Sequence, residues 1–174
     1  QGEIILFHRA KPPILVFDGK GELLRSWGDK EIPVAAGAHG LRVDADDNVW
    51  VTDIAQHRVL KYSPQGKLLL ALGTGRAGDA EDAFNKPTDI AFGKEGDIYV
   101  SDGYGNNRVM KFRRDGRFLL SWGKRGTADG EFHLPHAILV DSQERVVVGD
   151  RENDRIQLFD EKGSHLATWK GFAP

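Results

Sequence analysis

The sequence contains no cysteine, so it can hold no disulfide and no thiolate metal site, and the redox compartment stays open. No run approaches the roughly 18 consecutive apolar residues of a membrane-spanning helix. Neither sign of charge dominates: 24 Lys and Arg stand against 26 Asp and Glu, a formal charge of −2 with a pI near 6.3. That balance gives no electrostatic case for a nucleic-acid partner or an acidic membrane surface. The basic residues are spread through strand ends and turns, as on a solvated surface. No stretch of ten or more residues holds a 3.6-residue apolar period, so essentially no helix is expected. The chain starts at Gln1, with neither Met nor a signal-like apolar segment, and so reads as a processed product or an excised fragment.

What is present is repetition. Asp97–Gly123 reads DIYVSDGYGNNRVMKFRRDGRFLLSWG, three strand-like runs separated by Gly-, Asn- and Asp-rich corners. Asn48–Gly73 and Arg145–Trp169 repeat it, and Glu3–Gly28 gives a shorter version. Gly28, Gly73 and Gly123 fall at one point of the unit, 45 and 50 residues apart. A period of that size with four short strands per unit predicts an all-β propeller of four-stranded blades. The boundaries place a partial blade over 1–28, lacking its first strand, and complete blades at about 38–73, 86–123 and 134–170, in one propeller region over 1–174. The stretch 73–86, rich in Gly, Ala and Asp, is expected to be a mobile inter-blade loop. Lys170–Pro174 reads as the lead-in to a further first strand. Closing a ring takes at least four blades, so the array is expected either to belong to a larger, six-bladed propeller or to close through homo-oligomer contacts at its open blade edges.

First strands line the axis of a propeller, and His39 and His136 occupy the same first-strand position, with Thr88 between them. In a six-bladed ring alternate blades are related by about a third of a turn. Two such histidines, with a third on a further alternate blade, would make a three-imidazole zinc site. Hydrogen bonding along the channel is the other reading. Asp53, Asp102 and Asp150 recur at one corner position, with Arg58, Arg108 and Arg155 five or six residues later. Present in every complete unit, they read as structural ties from each corner to the Arg or to backbone donors. Three residues break the repeat. Tyr104 sits in a corner one residue longer than its counterparts, Arg151 follows its Asp where the others have Ile54 and Gly103, and Arg9 follows His8 in the partial blade. A phenol and two guanidiniums at one end of a channel suit a polar, anionic small ligand.

At these residues the sequence resembles NHL repeats, and its blades are most similar to the peptidyl-α-hydroxyglycine α-amidating lyases and their bacterial relatives. The matching stretches are Phe7–Arg9, His39–Leu41, Val51–Asp53, Lys86–Asp89, Val100–Tyr104, Pro135-His136 and Asp150–Asn153 leading to Arg155–Gln157, and they run over nearly the whole chain. The resemblance implies a zinc lyase that splits the N–Cα bond of an α-hydroxyglycine to an amide and glyoxylate, acting on a small-molecule or peptide substrate. It implies His39 and His136 as zinc ligands and Tyr104 as the base for the substrate hydroxyl. Arg9 and Arg151 would hold the carboxylate and assist Tyr104, and the Leu41 carbonyl would be a ligand of a structural calcium. The family's third zinc histidine, and a calcium-binding Asp beside it, belong to a later blade beyond Pro174. A second calcium carbonyl would precede Gln1. The resemblance leans towards a secreted or periplasmic protein. The alternatives are a non-catalytic NHL propeller that binds a ligand or protein partner, and a truncated blade array that self-assembles.

Overall fold

The computed structural model describes residues 2–33 and 35–171. Its strands form four antiparallel meanders. The first is three-stranded: β1 (Ile4–Phe7), β2 (Ile14–Phe17) and β3 (Leu23–Trp27). The second comprises β4 (Ala38–Val43), β5 (Val49–Asp53), β6 (Arg58–Tyr62) and β7 (Leu68–Leu72). The third comprises β8 (Asp89–Phe92), β9 (Ile98–Asp102), β10 (Arg108–Phe112) and β11 (Phe118–Trp122). The fourth comprises β12 (Pro135–Val140), β13 (Val146–Asp150), β14 (Arg155–Phe159) and β15 (His165–Lys170). Strand order follows chain order in every sheet. Among the described residues the only helical turns are two three-residue 3₁₀ segments, Ala35–Gly37 and Arg151–Asn153. The all-β blade architecture is therefore the one the repeats predict, with three complete blades and one of three strands.

The sheets stack in series because their middle strands are apolar on both faces. All of Val49–Asp53 and all of Ile98–Asp102 are buried. Burial on both sides is what adjacent blades require, and it yields one core per junction. Ile14 and Ile32 pack with Val49, Val51, Leu60 and Tyr62 between the first and second sheets. Trp50, Val59 and Leu72 meet Ile90, Val100 and Met110 between the second and third. Tyr99 and Val109 meet Ile138, Val148 and Phe159 between the third and fourth. Each outer hairpin carries a register shift at the same place, at Val16/Phe17, Lys61/Tyr62, Lys111/Phe112 and Leu158/Phe159. The recurring glycine after the outer strand has a backbone reason: φ is +93° at Gly73 and +92° at Gly123, where side chains are strained.

Two expectations change. The loop over 73–86 is not loose: Phe84 lies fully buried in the junction core, and Ala77 and Phe84 pair as a parallel bridge. Apolar burial and main-chain pairing hold the segment against the sheets, which its Gly-rich composition does not reveal. In the lead-in read over 170–174, Lys170 is instead the last residue of β15, and 172–174 lie outside the described residues.

Candidate functional site

The inner strands β4, β8 and β12 stand side by side, and two of them are bulged. In β4 the register jumps from Ala38↔Asp53 to Leu41↔Val51, and in β12 from Pro135↔Asp150 to Ala137↔Gly149. His39 and His136 lie inside these irregularities. A bulge leaves a residue out of the ladder and re-aims its side chain, and here both imidazoles turn towards each other, with ring centroids 4.8 Å apart. Gly40 permits the approach, since a Cβ there would stand 2.8 Å from the Thr88 carbonyl oxygen and 2.9 Å from Thr52 Oγ1.

Tyr104 completes the cluster. Its hydroxyl lies 3.2 Å from His39 Nε2 and 3.2 Å from His136 Nε2. The corner that carries it fits tightly: a Cβ on Gly103 would collide with the Pro135 carbonyl, and one on Gly105 with the Asn85 side chain. The two glycines flanking Tyr104 thus let the longer corner fit between Pro135 of β12 and Asn85 of the connector before β8. Arg151 follows in the 3₁₀ turn after β13. Its guanidinium carbon stands 5.8 Å from the Tyr104 ring centroid, and its Nε donates to Glu152 at 2.8 Å. Arg9 reaches the same neighbourhood from the first sheet, donating from Nε to the Ala38 carbonyl at 3.2 Å, one residue from His39. Beside His136 and Arg151 opens a cleft of about 390 Å³, lined also by Ala137, Gly149 and Ile156.

The protons can be assigned from the partners. His39 Nδ1 lies 2.7 Å from the Thr88 carbonyl, which can only accept, so Nδ1 carries the hydrogen. His39 Nε2 is then the acceptor for the Tyr104 hydroxyl, and the phenol oxygen in turn accepts from His136. Burial holds the His136 imidazole below the ordinary histidine range, reinforced by the neighbouring His39 and Arg151 charges and opposed by Glu152. It is a neutral ring at neutral pH. Thr88, the residue in the equivalent middle position, supports both sides: it is fully buried, and its hydroxyl lies 2.8 Å from the Pro135 carbonyl. Sequence reasoning gave Thr88 no part. Its signal was the break in the histidine pattern itself.

The two Nε2 atoms converging on one point suit zinc once the His136 ring carries its hydrogen on Nδ1 instead, and the carbonyl-bonded Nδ1 of His39 is the usual support for a ligating imidazole. The set supplies two nitrogens, and among the described residues no group of three or more His, Asp or Glu side chains comes together. The oxygen expected to serve calcium is engaged within the chain. The Leu41 carbonyl accepts from Arg42 Nη1 at 2.9 Å.

The recurring corner carboxylates are taken up by ties to side chains and loops, and Asp150 with Arg155 also lines the cleft beside His136. Asp102 pairs with Arg108 at 3.1 Å and Asp150 with Arg155 at 2.7 Å. Their arginines run on to loop carbonyls, those of Asp79, Ala80 and Ala83 for Arg108 and those of Thr127, Ala128 and Glu131 for Arg155. In the second sheet the tie is indirect. Asp53 accepts from the Ala55 and Gln56 backbone and from the Gln56 side chain, whose Oε1 takes the bond from Arg58. A glutamine inserted between the charges accounts for the difference.

The NHL repeat family model matches residues 84–112, from Phe84 to the end of β10. Peptidyl-glycine alpha-amidating monooxygenase of Mus musculus is 40% identical over 156 residues, covering 84% of this chain and 16% of the relative. Peptidyl-alpha-hydroxyglycine alpha-amidating lyase 1 of Drosophila melanogaster is 40% identical over 133 residues, 70% of this chain and 25% of the relative. NHL repeat-containing protein 3 of Homo sapiens is 38% identical over 170 residues, 91% of this chain and 48% of the relative. The chain thus spans less than half the length of each of these relatives. In structure, a streptogramin B lyase superposes with a TM-score of 0.75 at 17% identity, over 97% of this chain and 51% of its own. Virginiamycin B lyase from Staphylococcus aureus gives 0.73 at 16%, over 99% and 53%. At such identities the likeness is one of fold. Repeat and fold define a chain of β-propeller blades, and residues 84–112 match the NHL repeat. Within that class the sequence is similar to the amidating lyases over most of its length.

Proposed function

We propose that this chain carries part of the active site of an amidating-lyase-like enzyme that cleaves the N–Cα bond of an α-hydroxyglycine, giving an amide and glyoxylate. The observation that supports it most directly is the placing of one phenol oxygen 3.2 Å from the Nε2 atoms of two histidines on alternate blades. His39 and His136 would hold zinc, together with ligands from outside the described residues. When bound, zinc would supply Lewis-acid polarisation of the substrate oxygens. Tyr104, as the base, takes the proton of the substrate hydroxyl. The oxygen's electron pair closes the aldehyde C=O, the N–Cα bond breaks, and its electrons leave with the amide nitrogen, which takes up a proton. Arg151 and Arg9 orient the substrate carboxylate, where the fork of a guanidinium matches two oxygens.

The test measures zinc per chain after dialysis for the wild type, for Tyr104→Phe and for the His39→Ala/His136→Ala double variant, with glyoxylate release from an N-acyl α-hydroxyglycine beside it. About one zinc per chain is expected in the wild type and in Tyr104→Phe, and none in the double variant, with glyoxylate release confined to the wild type. A wild type that retains no zinc even after incubation with the metal overturns catalysis by this chain, and leaves a binding scaffold or blades whose chemistry needs ligands from outside them.

A further inference from the structure

The inner ring of the fold holds a second polar centre, separate from the histidines. Arg42, on β4, turns its guanidinium back along its own strand and donates from Nη1 to the Leu41 carbonyl at 2.9 Å. Nη2 of the same group reaches Asp89 Oδ2 at 2.5 Å, across to β8. Asp89 is 5% exposed. The other contacts of its carboxylate are main-chain amides: Ile90 N–H donates to Oδ1 at 2.9 Å, and Ile138 N–H, on β12, donates to Oδ2 at 3.2 Å. One guanidinium and one buried carboxylate therefore join three consecutive inner strands.

We infer that Arg42 serves as the built-in cation of this inner ring, in the position where the resemblance places a calcium ligated by Leu41, so that the tie between inner strands is metal-free. Calcium requires six to eight oxygen ligands at about 2.3–2.6 Å. An oxygen that accepts from a guanidinium already has one of its two lone pairs engaged, and the positive charge of Arg42 repels a second cation. A guanidinium needs far less. It is permanently charged, and its planar fork is satisfied here by one carbonyl and one carboxylate oxygen. The tie is also asymmetric in energy. Burial, the leading influence on Asp89, raises its pKa, opposed by the Ile90 amide and then by the charge of Arg42. Without Arg42 the carboxylate would be left buried with amide partners only, a much worse state than either a complete pair or none. The inference is independent of the zinc reading, since none of these groups touches His39, His136 or Tyr104 in the contacts described.

The deciding experiment is thermal unfolding of the whole chain, in EGTA and in millimolar calcium, for the wild type, Arg42→Met and Arg42→Lys. Calcium retained after dialysis is measured by elemental analysis on the same samples. The wild type is expected to unfold at one midpoint in both buffers and to retain no calcium. Arg42→Met, which keeps the length of the side chain but not its charge, is expected to unfold at least about 5 °C lower. Arg42→Lys is expected to recover part of the loss, because it restores the charge without the fork. A calcium-dependent rise in the wild-type midpoint, calcium retained by the wild type, or an Arg42→Met midpoint equal to that of the wild type would each overturn the inference. If Arg42→Met fails to fold, Arg42→Gln, which is neutral but can still donate to the Leu41 carbonyl and Asp89, takes its place, and a midpoint equal to that of the wild type overturns the inference.

Discussion

His136 has the most telling electrostatics of any single residue. Its imidazole is held below the histidine value of 6.5, first by burial and then by His39 and Arg151. The sign of the pH effect follows. Below pH 6.5 the unfolded chain binds a proton at this residue that the folded chain does not yet accept, so stability falls as pH drops from 6.5 through the lowered folded value. Above pH 6.5 both states are neutral and the residue adds no slope. His136→Gln should therefore flatten the loss of stability between about pH 7 and pH 5 and leave the slope above pH 7 unchanged. Denaturant midpoints of both proteins across that range measure it. Equal slopes below pH 6.5 would mean that the His136 ring titrates as in the unfolded chain. The type of this residue and its repeat position were legible in the sequence. Its neutrality was not, because that depends on which side chains approach it from other blades.

Among the elements, the turn between the third and fourth strands of a blade shows how blades are joined. It carries a glycine at φ +87° in the first sheet, Gly21, and at φ +81° in the fourth, Gly163. The two differ in what lies above them. A Cβ on Gly21 would meet nothing within 4 Å, whereas one on Gly163 would stand 2.7 Å from Cδ2 of Trp122 in the preceding blade. Gly21→Ala should thus cost only the left-handed backbone penalty, about 1–2 kcal/mol. Gly163→Ala should cost that and about 1–3 kcal/mol more for forcing the indole aside. Chemical unfolding of the two variants gives the difference, and equal losses would show that the Trp122 contact carries no strain. The Trp-Gly ends at Trp27-Gly28 and Trp122-Gly123 are visible in the sequence, and their indoles face Gly66 and Gly163 of the next units. Their meaning is a contact between neighbouring units, and a repeat read one unit at a time cannot contain it.

Over the whole molecule, connectors and sheets make one stack. Ile32, Phe84 and Phe132 all come from inter-blade segments, and each is fully buried in the core at one of the three junctions. A long-range interface thus rests partly on residues outside any strand. Phe84→Ala should lower stability by about 3–5 kcal/mol, as for a core aromatic. An exposed loop residue would lose no more than about 0.5 kcal/mol. The unfolding midpoint separates the two, and a loss near the lower figure would return the 73–86 segment to the loose loop its composition suggests.

The sequence by itself determined the blade count, the strand limits to within a residue or so, and the pairing of His39 with His136 across a unit that carries Thr88. These follow from short-range chemistry: alternating apolar residues, turn glycines and a fixed period act within one unit and leave their mark on it. Only the tertiary structure decided where those units face one another. It set the bulges that turn both imidazoles onto Tyr104, the carbonyl of Thr88 behind His39, the anchoring of the 73–86 segment, and the guanidinium of Arg42 on the oxygen expected to serve calcium. Apart from Arg42 on the adjacent Leu41 carbonyl, each of these depends on how one blade faces the next. Such contacts are fixed by the packing of one sheet on the next, and no local pattern of residues records it.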